Sequence, residues 1–278
     1  MSLRINTNVF AINAQRNLSN TGITMGRVFE RLSSGLRINR AADDAAGLAI
    51  SEKLTTQVMG LAQASRNAQD GISLVQVAEG AMAEQHAILQ RMRELVIQAG
   101  NATVGVSEKS SIQSEISALQ AEMSRIGTVT DFNGTMLLDG TLSASVLVGA
   151  NGAVAESITI SLTTVHTATG LGVDAAAVDV TSAGLTTAAL VASLDAAIST
   201  VSTSRASFGA LQNRLEHTVK SLGIAVENFS ASRSRIRDAD IADETSRMVT
   251  QQILMQAGTA VLSQANQSPQ AVLALLRG

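Results

Sequence analysis

Apolar residues recur every seven positions over two long stretches of this chain, and this spacing is the strongest constraint on its fold. The first series is Leu54, Leu61, Ala68, Val75, Met82, Leu89 and Val96. The second series is Leu194, Val201, Phe208, Leu215, Leu222 and Phe229. A seven-residue repeat gives a helix one continuous apolar stripe, which is buried by packing against another helix. We therefore predict helices over about 44–100 and 187–235, with Asp43 and Asp44 as capping residues of the first.

A shorter helix and a small β-region are predicted between the two long helices. Apolar residues spaced by three and four positions predict a helix over about 107–127; they are Ile112, Ile116, Leu119, Met123 and Ile126. After Gly127 the period changes to two, as in Ile158, Ile160 and Leu162. We predict a β-region over about 130–170, with a hairpin turn at Asn151-Gly152. Residues 171–186 are rich in Gly, Ala, Ser and Thr, which predicts a surface loop.

The predicted fold class is mostly α: a long coiled-coil-like helical bundle with a small β-hairpin region. The bundle covers residues 44–235, and its helices double back so that both chain ends leave it at the same end of a rod. The terminal segments, 1–43 and 236–278, are predicted to be further helices that pair with each other. Polar, charged stretches separate them from the bundle: "SSGLRINR" (33–40) and "SRSRIRDAD" (232–240).

Both terminal segments carry apolar stripes that nothing else in the chain covers. An uncovered stripe of this kind marks an interaction surface. We expect it to be buried among many copies of the chain, and both ends to become ordered only on assembly. The residues that we assign to this assembly surface are Ile5, Val9, Leu18, Met25, Phe29, Leu32, Leu36, Leu254, Val261, Leu262, Val272, Leu273, Leu275 and Leu276.

The composition excludes several kinds of chemistry. The chain has no Cys, so it forms no disulfide, and a net charge of −3 does not favour a nucleic-acid partner. Its three His (His86, His166 and His217) lack metal-ligand spacing. We therefore predict no catalytic, metal or cofactor site, and no membrane insertion, since no apolar run approaches about 20 residues. Residues 1–42 are rich in Arg, as in an organelle transit peptide, but they also read as a packing helix.

Several long segments, at both ends of the chain and in the expected order, strongly resemble bacterial flagellin. They are "INTNVFAINAQRNL" (5–18), "ERLSSGLRINRAADDAAGLAISEKL" (30–54), "GLAQASRNAQDGISLVQVAEGAM" (60–82), "QRMRELVIQAGN" (90–101), "RIGTVTDFNGTMLLDG" (125–140), "SRSRIRDADIADETSRM" (232–248) and "QAGTAVLSQANQSPQAVLALL" (256–276). The resemblance covers about 5–141 and 190–277. It does not extend to 142–186, which leaves no room for the extra outer domains of larger flagellins.

This resemblance implies a structural subunit that polymerises into the extracellular flagellar filament for swimming motility. It also implies export of the unfolded chain through the flagellar type III apparatus without a cleaved signal peptide. The implied partners are other copies of the chain, an export chaperone, the cap and the hook-junction proteins. Flagellins with this bundle motif are sensed by Toll-like receptor 5 of vertebrates, and the family's contact positions fall on Arg91, Leu95 and Glu115.

Two other classes of protein fit parts of the sequence. A hook–filament junction adaptor shares weaker terminal helices of the same kind, but it forms a single ring. A membrane-active amphipathic helix protein would bind liposomes through its isolated ends. The matches at both ends favour the bulk filament subunit, and we do not expect an enzyme.

Overall fold

The computed structural model describes residues 7–182 and 184–277, with the backbone alone for Val154 and residues 268–277. Over these residues the protein is mostly α-helical. Its helices are α1 (Val9–Ser34), α2 (Ala45–Ala99), α3 (Val106–Val129), α4 (Thr187–Arg237) and α5 (Ile241–Arg277). Its strands are β1 (Asp131–Phe132), β2 (Thr135–Met136), β3 (Leu142–Leu147) and β4 (Ser157–Leu162). The helices predicted over 44–100, 107–127 and 187–235 are therefore confirmed to within two residues at each end.

Short polar side chains cap the starts of α1, α2 and α5 by accepting hydrogen bonds from free backbone N–H groups. Asp44 Oδ1 accepts from Gly47 N at 2.8 Å, which confirms its predicted capping role in α2. Asn8 Oδ1 accepts from Ala11 N at 3.1 Å at the start of α1. Asp240 Oδ1 accepts from Ala242 N at 2.9 Å before α5. At its other end α1 stops at Gly35, whose φ of 70° suits a residue without a side chain.

The chain divides into two compact units. Unit 1 comprises Met1–Thr56 and Asn228–Gly278, and unit 2 comprises Gln57–Glu227. Unit 1 therefore holds α1 and α5, and unit 2 holds α3, both hairpins and the greater part of α2 and α4.

Unit 2 is built around one hydrophobic core to which α2, α3, α4, β3 and β4 contribute. The heptad positions of α2 and α4 are its centre: they are fully buried at Val75, Met82, Leu89, Val96, Leu194, Val201, Phe208 and Leu215. Ile116 and Met123 of α3 join the same core. The heptad series therefore predicted the buried stripe correctly from Ala68 to Val96 and from Leu194 to Leu222, whereas Leu54, Leu61 and Phe229 are half-buried.

Two antiparallel hairpins follow α3. In the first, β1 pairs with β2 through a turn at Asn133-Gly134, where both residues have positive φ (50° and 78°). In the second, β3 pairs with β4 from Leu142↔Leu162 to Leu147↔Ser157. The alternating residues Ile158, Ile160 and Leu162 face the core, as their period of two indicates.

The segment after β4 differs from the predicted surface loop. It has no helix or strand in its described residues, but Val173 and Val178 are fully buried in the core of unit 2. Gln120 of α3 binds it by donating to the carbonyls of Val173 (3.0 Å) and Val178 (3.3 Å). The composition was misleading because small and polar residues form irregular structure whether or not a few valines among them are buried.

Candidate assembly surface

Helices α1 and α5 of unit 1 pack against each other along one line, which we call the seam. All residues of α5 up to Gln267 that are not exposed follow a strict four–three spacing: Glu244, Met248, Gln251, Met255, Gly258, Leu262 and Ala265. The matching positions of α1 are Ala11, Ala14, Leu18, Thr21, Met25, Val28 and Leu32. This is the spacing by which two helices interlock along a single stripe.

Three contacts define an antiparallel register along the seam. Asn8 Nδ2 donates to the Ala265 carbonyl at 2.7 Å, at one end. Arg31 Nη1 lies 3.1 Å from Glu244 Oε1, at the other end. Between them, a Cβ built on Gly258 would lie 3.2 Å from Leu18 Cδ1, so the two helices approach closely where a residue without a side chain permits it.

The structure corrects part of the predicted stripe of the terminal helices. Leu18, Met25, Leu32 and Leu262 lie in the seam, so Leu262 does not face water as an isolated tail would. In α1, however, Val28 is buried and Phe29 is 51% exposed. A helical period of 3.6 residues allows either neighbour to continue a stripe, and only the partner helix decides between them.

The segments beside the seam are tied to each other by backbone hydrogen bonds. Leu36 and Asp238 form an isolated antiparallel bridge, and Leu36 itself is half-buried. Arg37 N donates to the Arg237 carbonyl at 2.6 Å, and Ala239 N donates to the Gly35 carbonyl at 2.9 Å. The two polar stretches predicted to separate the terminal helices from the bundle, 33–40 and 232–240, are therefore hydrogen-bonded to each other.

Helices α1 and α5 also expose apolar residues that are not part of the seam. Each of these side chains is between 48% and 66% exposed: Val9, Phe10, Ile12, Ile23 and Phe29 on α1, and Ile241, Val249, Ile253, Leu254 and Val261 on α5. We call these residues the outer surface. It contains Val9, Phe29, Leu254 and Val261, four of the residues assigned to assembly from the sequence. The spacing of Val9, Ile12 and Ile23 places them on one face of α1, opposite the seam.

The rest of the predicted assembly residues lie beyond what the structure describes. Ile5 is outside the described residues. Val272, Leu273, Leu275 and Leu276 belong to α5, but their side chains are outside the description.

Helix α5 offers a partner a surface without charge. Residues 248–276 contain no Asp, Glu, Lys, Arg or His. Removing a charge from water is costly, and interface cores are accordingly poor in charged residues. A neighbouring molecule can therefore cover this part of α5 without burying any charge of α5.

A groove of about 490 Å³ runs along one side of the seam. Its α5 wall includes the exposed side chains of Leu254 and Val261, and its α1 wall includes Asn17 and Thr24. This mixed lining, apolar on one side and uncharged polar on the other, suits a further helix of the same composition.

Of the residues that the family resemblance connects with receptor recognition, the structure brings two together and separates the third. Arg91 donates to Glu115 Oε1 from Nε at 3.0 Å and from Nη2 at 2.8 Å. The hydrogen bonds to Glu115, and then to Glu94, raise the pKa of Arg91. Both side chains of the Arg91–Glu115 pair are about half exposed. Leu95 is buried in the core of unit 2 and is not part of this exposed surface.

Chemistry other than packing has little support in the described residues. They contain no group of three His, Cys, Asp or Glu side chains placed to hold a metal ion. In the same part of the chain, every helix is too short or too polar for a membrane span. His166 is fully buried, with Nε2 3.2 Å from Ser204 Oγ, and burial lowers its pKa. It is thus part of the core packing of unit 2.

Comparisons with known proteins find relatives of this chain. Residues 5–143 match the family model of the bacterial flagellin N-terminal helical region, and residues 191–276 match that of the C-terminal helical region. Among solved structures, the crystal structure of Bacillus cereus flagellin is 28% identical, with a TM-score of 0.49, over 56% of this chain and 88% of that one.

Curated relatives match over almost the whole chain. The flagellin of Bacillus subtilis (strain 168) is 46% identical over 306 residues, covering 99% of this chain and 100% of the relative. The flagellin of Halalkalibacterium halodurans is 50% identical, covering 98% and 99%. The flagellar filament 33 kDa core protein of Treponema phagedenis is 44% identical, covering 98% and 99%. This chain belongs to the bacterial flagellin family, whose members are structural subunits of the flagellar filament.

Proposed function

We propose that this chain polymerises with itself into the extracellular flagellar filament, and that α1 and α5 make the contacts between copies. The observation that carries the proposal is the division of apolar residues in unit 1. One set of apolar residues packs in the seam between α1 and α5. A second set of similar size, the outer surface, remains exposed. Exposed apolar surface of this extent, next to a charge-free tract, is typical of a protein–protein interface.

Substitution on the outer surface tests this proposal. Ile12→Asn with Ile23→Asn changes two exposed residues of α1 and leaves the seam intact. The matched control is Val106→Asn, which alters an 86% exposed residue of unit 2. Electron microscopy of the concentrated proteins should show long filaments for the unaltered chain and for the control, and none for the double variant. Normal filaments from the double variant would refute the proposal.

Removal of residues 261–278 gives a second test. It deletes Val261 of the outer surface, Leu262 of the seam and the Ala265 carbonyl that binds Asn8. Unit 2 keeps its whole core. We expect the truncated protein to retain the thermal unfolding of unit 2 and to form no filaments.

Growth without other proteins separates this function from that of a hook–filament junction adaptor. A bulk subunit adds to its own kind without limit, since its contacts repeat from copy to copy. A junction protein would stop at a ring or stay monomeric. Filaments longer than one turn of the assembly, grown from the pure chain, would exclude the adaptor.

Export of the unfolded chain through the flagellar type III apparatus, with an export chaperone and a cap at the growing tip, is the second part of the proposal. Two features of the sequence support it. The chain has no Cys and one Pro, so disulfides cannot hinder its passage and slow prolyl isomerisation is limited to one peptide bond during refolding. Mass spectrometry of secreted subunits should find the N-terminus intact apart from the first Met. A truncated N-terminus would show a cleaved signal.

Recognition by vertebrate Toll-like receptor 5 is supported by the exposed pair Arg91 and Glu115. A receptor can reach both side chains, whereas Leu95 is covered. Arg91→Ala with Glu115→Lys should weaken receptor signalling by the free subunit. The matched control is Arg125→Ala with Glu122→Lys, which alters another exposed ion pair of unit 2. Equal signalling from both double variants would remove this part of the proposal.

A further inference from the structure

Three methionines lie together in the central part of the seam. Met248 and Met255 follow each other at seven residues on α5, and Met25 lies on α1. Met25 lies on α1 between Leu18, which contacts Gly258, and Arg31, which contacts Glu244. In this antiparallel register, Met25 is opposite the turns of α5 that carry Met248 and Met255. Three of the fourteen seam positions are therefore thioether side chains.

The exposure of Met248 and Met255 differs from that of buried Met25 and of the methionines in unit 2. Met82, Met92 and Met123 are fully buried in unit 2. Met59 and Met136 are 68% and 42% exposed there, away from any seam. Met248 and Met255 are half-buried, because the seam is formed by two helices and has no third layer above it. They are thus within reach of small solutes and at the same time needed for packing.

We propose that Met248 and Met255 are a site of reversible oxidation that controls pairing of α1 with α5, and thereby assembly. The oxidant is a peroxide. Its O–O bond breaks, one oxygen forms a bond to the thioether sulfur, and the other leaves as water. The sulfur loses two electrons to give methionine sulfoxide, which methionine sulfoxide reductases can reduce again. The link to assembly rests on the proposed function.

The effect follows from the polarity of the product. A sulfoxide is a strong hydrogen-bond acceptor, whereas a thioether is an apolar packing group. The nearest apolar seam positions of α1 are Met25 and Val28, both buried, so a sulfoxide placed in the seam lies partly against apolar side chains and loses part of its hydration. Burial of an unsatisfied polar group is unfavourable enough to change an equilibrium by about tenfold or more.

Oxidation of the free subunit, followed by peptide mass spectrometry, measures which methionines react. We expect Met59, Met136, Met248 and Met255 to react before Met82, Met92 and Met123. The oxidised subunit should need a concentration about tenfold or more higher for filament growth. Treatment with methionine sulfoxide reductase should return this concentration to that of the unoxidised subunit. Slow reaction of Met248 and Met255, at the rate of the buried methionines, would overturn the proposal.

Two leucine variants identify the methionines that matter, since leucine is apolar and resists oxidation. Met248→Leu with Met255→Leu should polymerise normally after peroxide treatment. The matched control, Met59→Leu with Met136→Leu, should lose assembly as the unaltered chain does. The proposal is overturned if oxidised Met248→Leu/Met255→Leu loses assembly equally.

A measurement within one subunit separates this inference from the proposed function. The chain has no Cys, so Leu18→Cys with Gly258→Cys creates a single thiol pair across the seam. The disulfide is formed before peroxide treatment, which protects both sulfurs, and is reduced afterwards; its renewed closure in a glutathione buffer reports the pairing of α1 with α5. Sulfoxides should lower the equilibrium constant for closure by about tenfold, whether or not filaments form. Unchanged closure would refute control of the seam, and absence of filaments without oxidation would refute the proposed function alone.

Discussion

Arg31 Nη1 of α1 lies 3.1 Å from Glu244 Oε1 in the first turn of α5. Glu244 is 4% exposed, and its second oxygen, Oε2, has no hydrogen-bond partner in the described part of the chain. The carboxylate is compensated by Arg31 and by the positive end of the α5 dipole. This pair fixes one end of the seam, since a shift of one helix along the other would leave a buried charge alone.

Loss of Arg31 should therefore weaken assembly more than loss of both charges. Arg31→Met leaves Glu244 buried without its cation, at a cost of about 2–3 kcal/mol for a pair that is partly open to water. Arg31→Met with Glu244→Gln removes the charge as well as its partner and should recover much of that cost. The measurement is the lowest concentration that supports filament growth for the four proteins of the cycle. Strictly additive effects would show that the two side chains are not coupled.

A disulfide across the seam tests its register directly. A Cβ on Gly258 would lie 4.0 Å from Leu18 Cβ, within the range of about 3.5–4.5 Å that disulfides require. Filaments of Leu18→Cys/Gly258→Cys should form an intramolecular disulfide under mild oxidation, seen as faster migration in a non-reducing gel. Leu18→Cys with Ala260→Cys, whose second position is exposed on α5, should stay reduced. Efficient closure of this control would mean that the helices do not keep the register.

The stability of unit 2 should depend on pH through His166. Its pKa is lowered by burial, so between that value and about 6.5 the unfolded chain binds a proton that the folded chain does not. Stability is then complete above pH 6.5 and falls as the pH decreases toward the folded pKa, by up to about 1.4 kcal/mol per pH unit.

Urea unfolding at pH 7.5 and at pH 5.5 measures this dependence. The unaltered chain should lose stability between the two, and His166→Gln, which cannot titrate but can still bind Ser204, should lose less. An equal loss in both proteins would assign the pH dependence to other groups.

The sequence predicted the regular parts of this fold well because local physics determines them. Seven-residue spacing identified the buried positions of α2, such as Val75, and those of α4, such as Phe208. The chemistry of helix caps identified Asp44 as the residue that caps α2. Burial in the segment after β4 was missed, since His166, Val173 and Val178 are held by tertiary contacts that leave no periodic signal.

The seam was only half recognised for a related reason. The apolar members Met248, Met255 and Leu262 of α5 repeat every seven residues, and Leu262 was assigned to the terminal stripe from the sequence. The alternate members Glu244, Gln251, Gly258 and Ala265 repeat with the same period but are polar or small, so hydrophobicity does not reveal them. Only the antiparallel register with α1 explains their positions.

Amide hydrogen exchange on free subunits and on filaments tests the central claim most directly, namely that the paired ends depend on neighbouring copies for their stability. The only apolar side chains of α1 and of described α5 that are buried within one chain are Met25 and Val28, which is too little to offset the ordering of two long helices. We predict fast exchange over 9–34 and 241–267 in the free subunit, slowed by about a hundredfold or more in filaments, with unchanged protection over 75–96. Slow exchange of both terminal helices in the free subunit, equal to that in filaments, would contradict the claim.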